Sequence, residues 1–179
     1  MWHRGPNHRR PICCARCRTA SRFRRSCSSW PYFRRPATPS LPVPSLVVAT
    51  SAIRDEGTSY HYLPAADIVT APAKLAANLY EGLQGLELPV TQGLVWTTDA
   101  PYRETAEELT EHAANGSLAV EMQAASLFAF AEARQANVGM VAHVTNAIDH
   151  TGEPFDKGSD EHGWHIVQAM CRACIQWLA

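Results

Sequence analysis

Residues 1 to 45 contain no Asp or Glu, although they hold ten Arg; the rest of the chain sets six basic against seventeen acidic residues, a formal charge of −11. The net charge of −1 over all 179 residues therefore hides two unlike compositions. No run of about 18 apolar residues occurs, so no transmembrane helix is indicated. The body has neither an internal repeat nor a Walker or dinucleotide glycine motif, and the phosphate cradles those motifs build are not expected. Cysteine is scarce there as well: Cys171 and Cys174 make no disulfide framework, which fits a reducing, cytoplasmic setting.

What the first 44 residues do contain is Arg, Ser and Pro without helical or strand periodicity, so this leader is expected to be disordered. Four readings of it stand side by side. Its composition is that of an organelle transit peptide, but its prolines oppose the amphipathic helix such peptides form. Its arginines, with Trp2, Phe23, Trp30, Tyr32 and Phe33, have the makings of a nucleic-acid arm. His8, Cys13, Cys14, Cys17 and Cys27 offer zinc-ligand chemistry without a paired second C-x-x-C. The plainest reading is a non-native leader, and nucleic acid is not an expected partner.

From residue 45 the pattern changes. "SLVVATSAI", 45 to 53, reads as a buried strand, followed by a charged loop in which Gly57 can supply a positive φ. Pro72 opens a helix with Leu75, Leu79 and Leu83 at four-residue spacing and Gly85 as its cap. "VTQGLVWTT", 90 to 98, is a second strand, and "RETAEELTEHAANG" a helix stopped at Asn115-Gly116. "LAVEM" is a third strand, "QAASLFAFAEARQ" a third helix and "VGMVAHVTN", 138 to 146, a fourth strand. A last helix, N-capped by Ser159, turns Ile166, Val167, Met170, Cys174 and Leu178 to one side. Strand and helix alternate, which argues an α/β fold: a mixed sheet flanked by helices, with chemistry collected at the carboxyl ends of the strands. Thr97, Thr98 and Asp99, then Glu121 and Met122, then Thr145 and Asn146 stand at those ends and converge on one crevice.

Four blocks, "AIRDEGTSYHYLP", "VWTTDAPYRET", "VEMQAASLFAFA" and "VAHVTN", resemble in order and spacing the nucleoside phosphorylase family, in the branch of uridine phosphorylase and bacterial purine nucleoside phosphorylase. The resemblance covers 45 to 179. It implies the carboxyl-terminal portion of a nucleoside-phosphorylase-like fold with the N-terminal part missing, and a pentosyltransferase that converts a nucleoside and phosphate to a free base and ribose 1-phosphate. Hydrolysis of the N-glycosidic bond by a nucleosidase, and a non-catalytic nucleoside-binding or assembly fragment, are the alternatives.

By this resemblance Glu121, Met122 and Gln123 hold the ribose, with Gln123 where the family has a second Glu. A carboxylate accepts from both hydroxyls of a vicinal diol and its charge favours a cationic sugar; an amide keeps one acceptor and loses the charge. Asn146 stands where purine phosphorylases place a general-acid Asp and uridine phosphorylases an Asn, so it takes the catalytic position and implies a uridine-phosphorylase-like enzyme. Thr98, Asp99, Tyr102, Arg103 and Asn146 face the base. Pro101 occupies the place of a stacking aromatic, which makes Tyr102, Arg103 and Glu104 substitutes for it. From the residues alone plainer roles stay open: Glu121 as a sheet-edge carboxylate, Met122 as core, Gln123 as a helix N-terminal residue, Asp99 as a cap, Asn146 as a turn residue.

Phosphate is the expected co-substrate, with no cofactor. The family's Gly-rich loop and its Arg-bearing segment lie upstream of the matching region, so the phosphate-binding residues are unknown and impaired turnover is expected. His143, His150, His162 and His165 share no metal-ligand spacing, and no metal is expected. A homo-oligomer, in the family a dimer-based hexamer, is implied.

Overall fold

The computed structural model describes residues 12–13, 41–145 and 160–178. In chain order the elements are β1 (Ile12–Cys13), β2 (Ser45–Asp55), a 3-10 turn (Ser59–His61), β3 (Ile68–Thr70), α1 (Ala73–Leu83), β4 (Val90–Thr98), α2 (Ala106–Ala114), β5 (Val120–Glu121), α3 (Ala124–Arg134), β6 (Val138–Gly139), β7 (Val141–Val144) and α4 (Asp160–Leu178).

The β-branched run at 45 to 53 becomes the axis of a mixed five-stranded sheet. Along one side β2 pairs in parallel with β4, from Leu46 opposite Val90 to Asp55 opposite Thr98, and β5 extends the sheet in parallel beyond β4. Along the other side β2 pairs antiparallel with β7 through residues 45–48 and with β3 through 51–53. Thr50 is the extra residue where the register with β4 shifts between Ala49 and Ser51, and its carbonyl accepts from Ala71 N–H at 2.9 Å. Leu46, Val47, Val48 and Ala49 are all buried. Successive strand residues point to opposite faces, so four in a row require cover on both, and helices supply it.

Leu75, Leu79 and Leu83 of α1 are buried at the expected spacing. Leu75 and Leu79 reach β6 where Gly139 has no side chain; a Cβ there would collide with Leu79 Cδ1. Helix α4 packs on α1 through Ile166, Ala169, Met170 and Ala173, with Val167 and Cys174 only partly buried. Gly82 sets the distance between the two helices, since a Cβ on it would stand 2.7 Å from Ala173 Cβ. Helix α3 buries Phe128 among Ala124, Ala125, Ala129 and Ala131, small residues that bring its axis close to the sheet.

Several local expectations are corrected. β3 was not anticipated: three residues are too few to show a period. Neither Gly57 nor Gly85 has a positive φ, and α1 ends at Gln84 in an ordinary helical conformation. The left-handed positions are Gly116, at φ +88°, and Gln135, at φ 51°, which close α2 and α3. The strand expected across 138 to 146 is interrupted at Met140, whose carbonyl accepts from Ala49 N–H. Of the leader, Ile12–Cys13 pair in parallel with β6, an exception to the expected lack of regular structure, and residues 41–44 are in neither helix nor strand; its remaining residues and Ser159 lie outside the described residues.

Candidate functional site

Because β2, β4 and β5 run parallel, their carboxyl ends fall side by side: Arg54 opposite Thr97, Asp55 opposite Thr98, and Thr97 opposite Glu121. Ligands of open α/β sheets bind outside such ends. Three polar assemblies are built there.

The first holds the junction of β5 and α3. Thr97, fully buried, donates its hydroxyl to Glu121 Oε1 in a short hydrogen bond and accepts from Ala125 N–H at 3.0 Å. Glu121 Oε2 accepts from Gln123 N–H at 2.5 Å and Ala124 N–H at 2.9 Å. The carboxylate thus takes up amide donors that the first turn of a helix leaves without intrahelical partners, at the end of the helix dipole that favours negative charge. Burial pushes the Glu121 carboxyl above the usual range, against the pull of the hydroxyl and amide donors. With Glu121 turned inward, Met122 stands 51% exposed beside the partly exposed Gln123.

The second assembly ties the loop after β2 to the same helix. Glu56, only 7% exposed, accepts from Thr58 N–H at 2.7 Å, from Ser59 N–H, and from Ser126 Oγ of α3 at 2.8 Å. Burial alone would raise its pKa, but the hydroxyls of Ser59 and Ser126 and the two amides outweigh it and leave the carboxyl below its ordinary value. Arg54, 5% exposed, donates Nε to Ser59 Oγ at 2.8 Å and Nη1 to the Pro64 carbonyl at 2.7 Å, under the Tyr60 ring at 4.2 Å. Tyr62 meets Phe130 of α3 edge to face. Loop 56–64 is thereby fastened to the helix that begins beside Gln123.

The third lies at the end of β4. Trp96 Nε1 donates to Asp55 Oδ2 at 3.0 Å, and the Trp96 ring contacts His112 of α2 at 4.4 Å. Asp99 Oδ2 accepts from Gly57 N–H at 2.9 Å, while Thr98 Oγ1 accepts from Ala100 N–H. A turn closed by Arg103 N–H to the Ala100 carbonyl presents Tyr102, 54% exposed, and Arg103 to solvent. Glu104 follows, partly buried, and Thr105 begins α2 in a reciprocal capping box with Glu108.

A family model described as the phosphorylase superfamily matches residues 37–176. The chain belongs to the phosphorylase superfamily. Among solved structures, this superfamily member is similar to a P. knowlesi homologue of P. falciparum PNP, purine nucleoside phosphorylase, with a TM-score of 0.65, 17% identity, and 77% of this chain against 56% of that one covered. It is also similar to AMP nucleosidase from Bacteroides thetaiotaomicron, with a TM-score of 0.60, 18% identity, and coverage of 75% and 56%. At such identities the likeness is one of fold. The chain spans just over half the length of both neighbours. A comparison with curated proteins found no match.

The superfamily fold brings Thr98, Asp99, Glu121, Met122, Gln123, Tyr102 and Arg103 to one end of the sheet. Asn146 lies outside the described residues, one position past Thr145. What sequence reasoning missed is the scaffolding: Glu56, Ser59 and Ser126. A carboxylate two and three residues ahead of Thr58 and Ser59 is the local signal of an acid-capped turn; the bond to Ser126 spans seventy positions and has no sequence signature. No described helix is long and apolar enough to cross a membrane, and no group of three metal-ligating side chains occurs among the described residues.

Proposed function

We propose that the strand-end crevice binds a nucleoside and that the chain takes part in cleavage of its N-glycosidic bond by phosphate, with a uridine-phosphorylase-like preference. In this reading Met122 and Gln123 lie against the ribose, Tyr102, Arg103 and Asn146 toward the base, and Glu121 acts through the backbone it holds. The observation that carries it is the β5–α3 junction. Glu121 and Thr97 are consumed in fixing the first turn of α3, which fixes where Met122 and Gln123 stand beside the strand ends. Positioning of that kind is what a sugar site needs, since a misplaced contact forfeits orientation.

Phosphate is the co-substrate of the proposal, in a homo-oligomer of a reducing, cytoplasmic compartment; Cys171 and Cys174 are free thiols. The second reading, a nucleoside-binding chain without turnover, draws on Gln123: an amide offers a diol an acceptor but gives a cationic sugar no countercharge. The experiment is release of uracil from uridine by the full chain with and without phosphate, beside a Gln123→Glu variant. Phosphate-dependent release, faster in the variant, is expected. Release independent of phosphate replaces phosphorolysis with hydrolysis, and saturable uridine binding without release from either folded protein establishes the second reading.

A further inference from the structure

Side chains from three neighbouring strand ends converge on one helical turn. Thr97 of β4 and Glu121 of β5 hold the amides of Gln123, Ala124 and Ala125. From the loop after β2, Glu56 Oε2 accepts the hydroxyl of Ser126, the next residue of that turn, at 2.8 Å. The same oxygen accepts from Thr58 N–H at 2.7 Å and Ser59 N–H at 3.0 Å, so a single atom joins loop 56–64 to α3. The loop end of this link is itself fixed, because Ser59 is fully buried and its hydroxyl accepts from Arg54 Nε at 2.8 Å. Ser126 follows Gln123 by three positions, which places the two on one side of the helix. Gln123 is the N-cap of α3 yet makes no side-chain capping bond, so its amide is not spent on the helix.

We propose that Glu56 is a positioning residue for the sugar: through Ser126 it sets the Gln123 amide against the ribose hydroxyls, and so helps tell ribose from 2′-deoxyribose. The inference rests on the nucleoside-binding reading above. Thr97 and Glu121 restrain the turn from the strands beneath it. A tie one residue further on, from a different strand end, stops the turn from rocking about the β5–α3 junction. Orientation of that accuracy is what a hydroxyl contact requires, since hydrogen bonds weaken steeply once distance and angle drift. A site built around a substrate hydroxyl then discriminates against the analogue that lacks it.

The test uses full-length wild type, Ser126→Ala and Ser126→Thr. The alanine variant removes only the tie to α3, because the Thr58 and Ser59 amides still hold Glu56; the threonine variant keeps the hydroxyl. Each is assayed with phosphate on uridine and guanosine, each beside its 2′-deoxy counterpart. The readout is the ratio of kcat/KM for the ribonucleoside to that for the deoxynucleoside, or the corresponding ratio of Kd values if binding occurs without turnover. Loss of folded protein lowers both members of a pair alike and leaves the ratio unmoved. Wild type should prefer the ribonucleoside; Ser126→Ala should lower the ratio about 3- to 10-fold, the share of one hydrogen bond, and Ser126→Thr should keep it within about twofold. An unchanged ratio in Ser126→Ala, an equal fall in Ser126→Thr, or a wild type indifferent to the 2′-hydroxyl overturns the role of Glu56 and leaves the nucleoside reading standing. A folded wild type that neither binds nor cleaves any of the four overturns that reading and the proposal with it.

Discussion

Thr97→Val tests the junction most directly, because it keeps volume and shape and removes only the hydroxyl. The side chain is fully buried, so no water replaces what is lost. Ala125 N–H is left without its 3.0 Å acceptor, and Glu121 Oε1 without its donor. A buried unsatisfied amide costs about 1–3 kcal/mol, and a hydrogen bond to an ionised group contributes about 1.5–3 kcal/mol. The two share one oxygen and do not add in full, so about 2–4 kcal/mol is expected for Thr97→Val. Thr97→Ser retains the hydroxyl and gives up one methyl, about 1 kcal/mol. Urea unfolding at pH 8 reads both, and an unchanged m-value licenses the comparison. A double-mutant cycle with Glu121→Gln should show coupling of at least about 1 kcal/mol. If the valine variant proves as stable as the serine variant, the hydroxyl is not holding the first turn of α3, and the account of how Met122 and Gln123 are positioned fails.

Two further outcomes follow from the same structure. The Glu104 carboxyl is held near 7 in the fold against an ordinary 4.5, so the native state binds more protons than the unfolded chain within that window. The contribution of Glu104 is therefore most favourable below about pH 4.5 and declines as pH rises toward 7; discounting for partial exposure, Glu104→Gln should stabilise by about 1–2 kcal/mol at pH 8 and by nothing measurable near pH 4.5, followed by thermal unfolding across pH. Gly82→Ala should destabilise by about 1–2 kcal/mol despite the better helix propensity of alanine, since its Cβ would meet Ala173 Cβ at 2.7 Å, and Ala173→Gly in the same chain should restore the loss; a single variant more stable than wild type rejects the close helix contact.

The elements that periodicity exposes were legible from residues alone. The apolar run at 45 to 53, the leucines of α1 at every fourth position and the Asn115-Gly116 stop of α2 each encode a local structure within a few residues, because backbone geometry alone relates such neighbours. The order of those elements determined the fold class, and four ordered blocks determined the family. Tertiary structure decided the rest. Whether Glu121 faces a ligand or a helix depends on Thr97, twenty-four positions earlier, and the bond from Ser126 to Glu56 spans seventy. The Glu104 carboxyl is raised first by burial, then by Glu108 and Asp55, and burial is set by tertiary packing that no local pattern announces. Hydrogen bonds and electrostatic fields act through distance in space, so the residues legible as chemistry in the chain acquired their roles only when the sheet set its strand ends side by side.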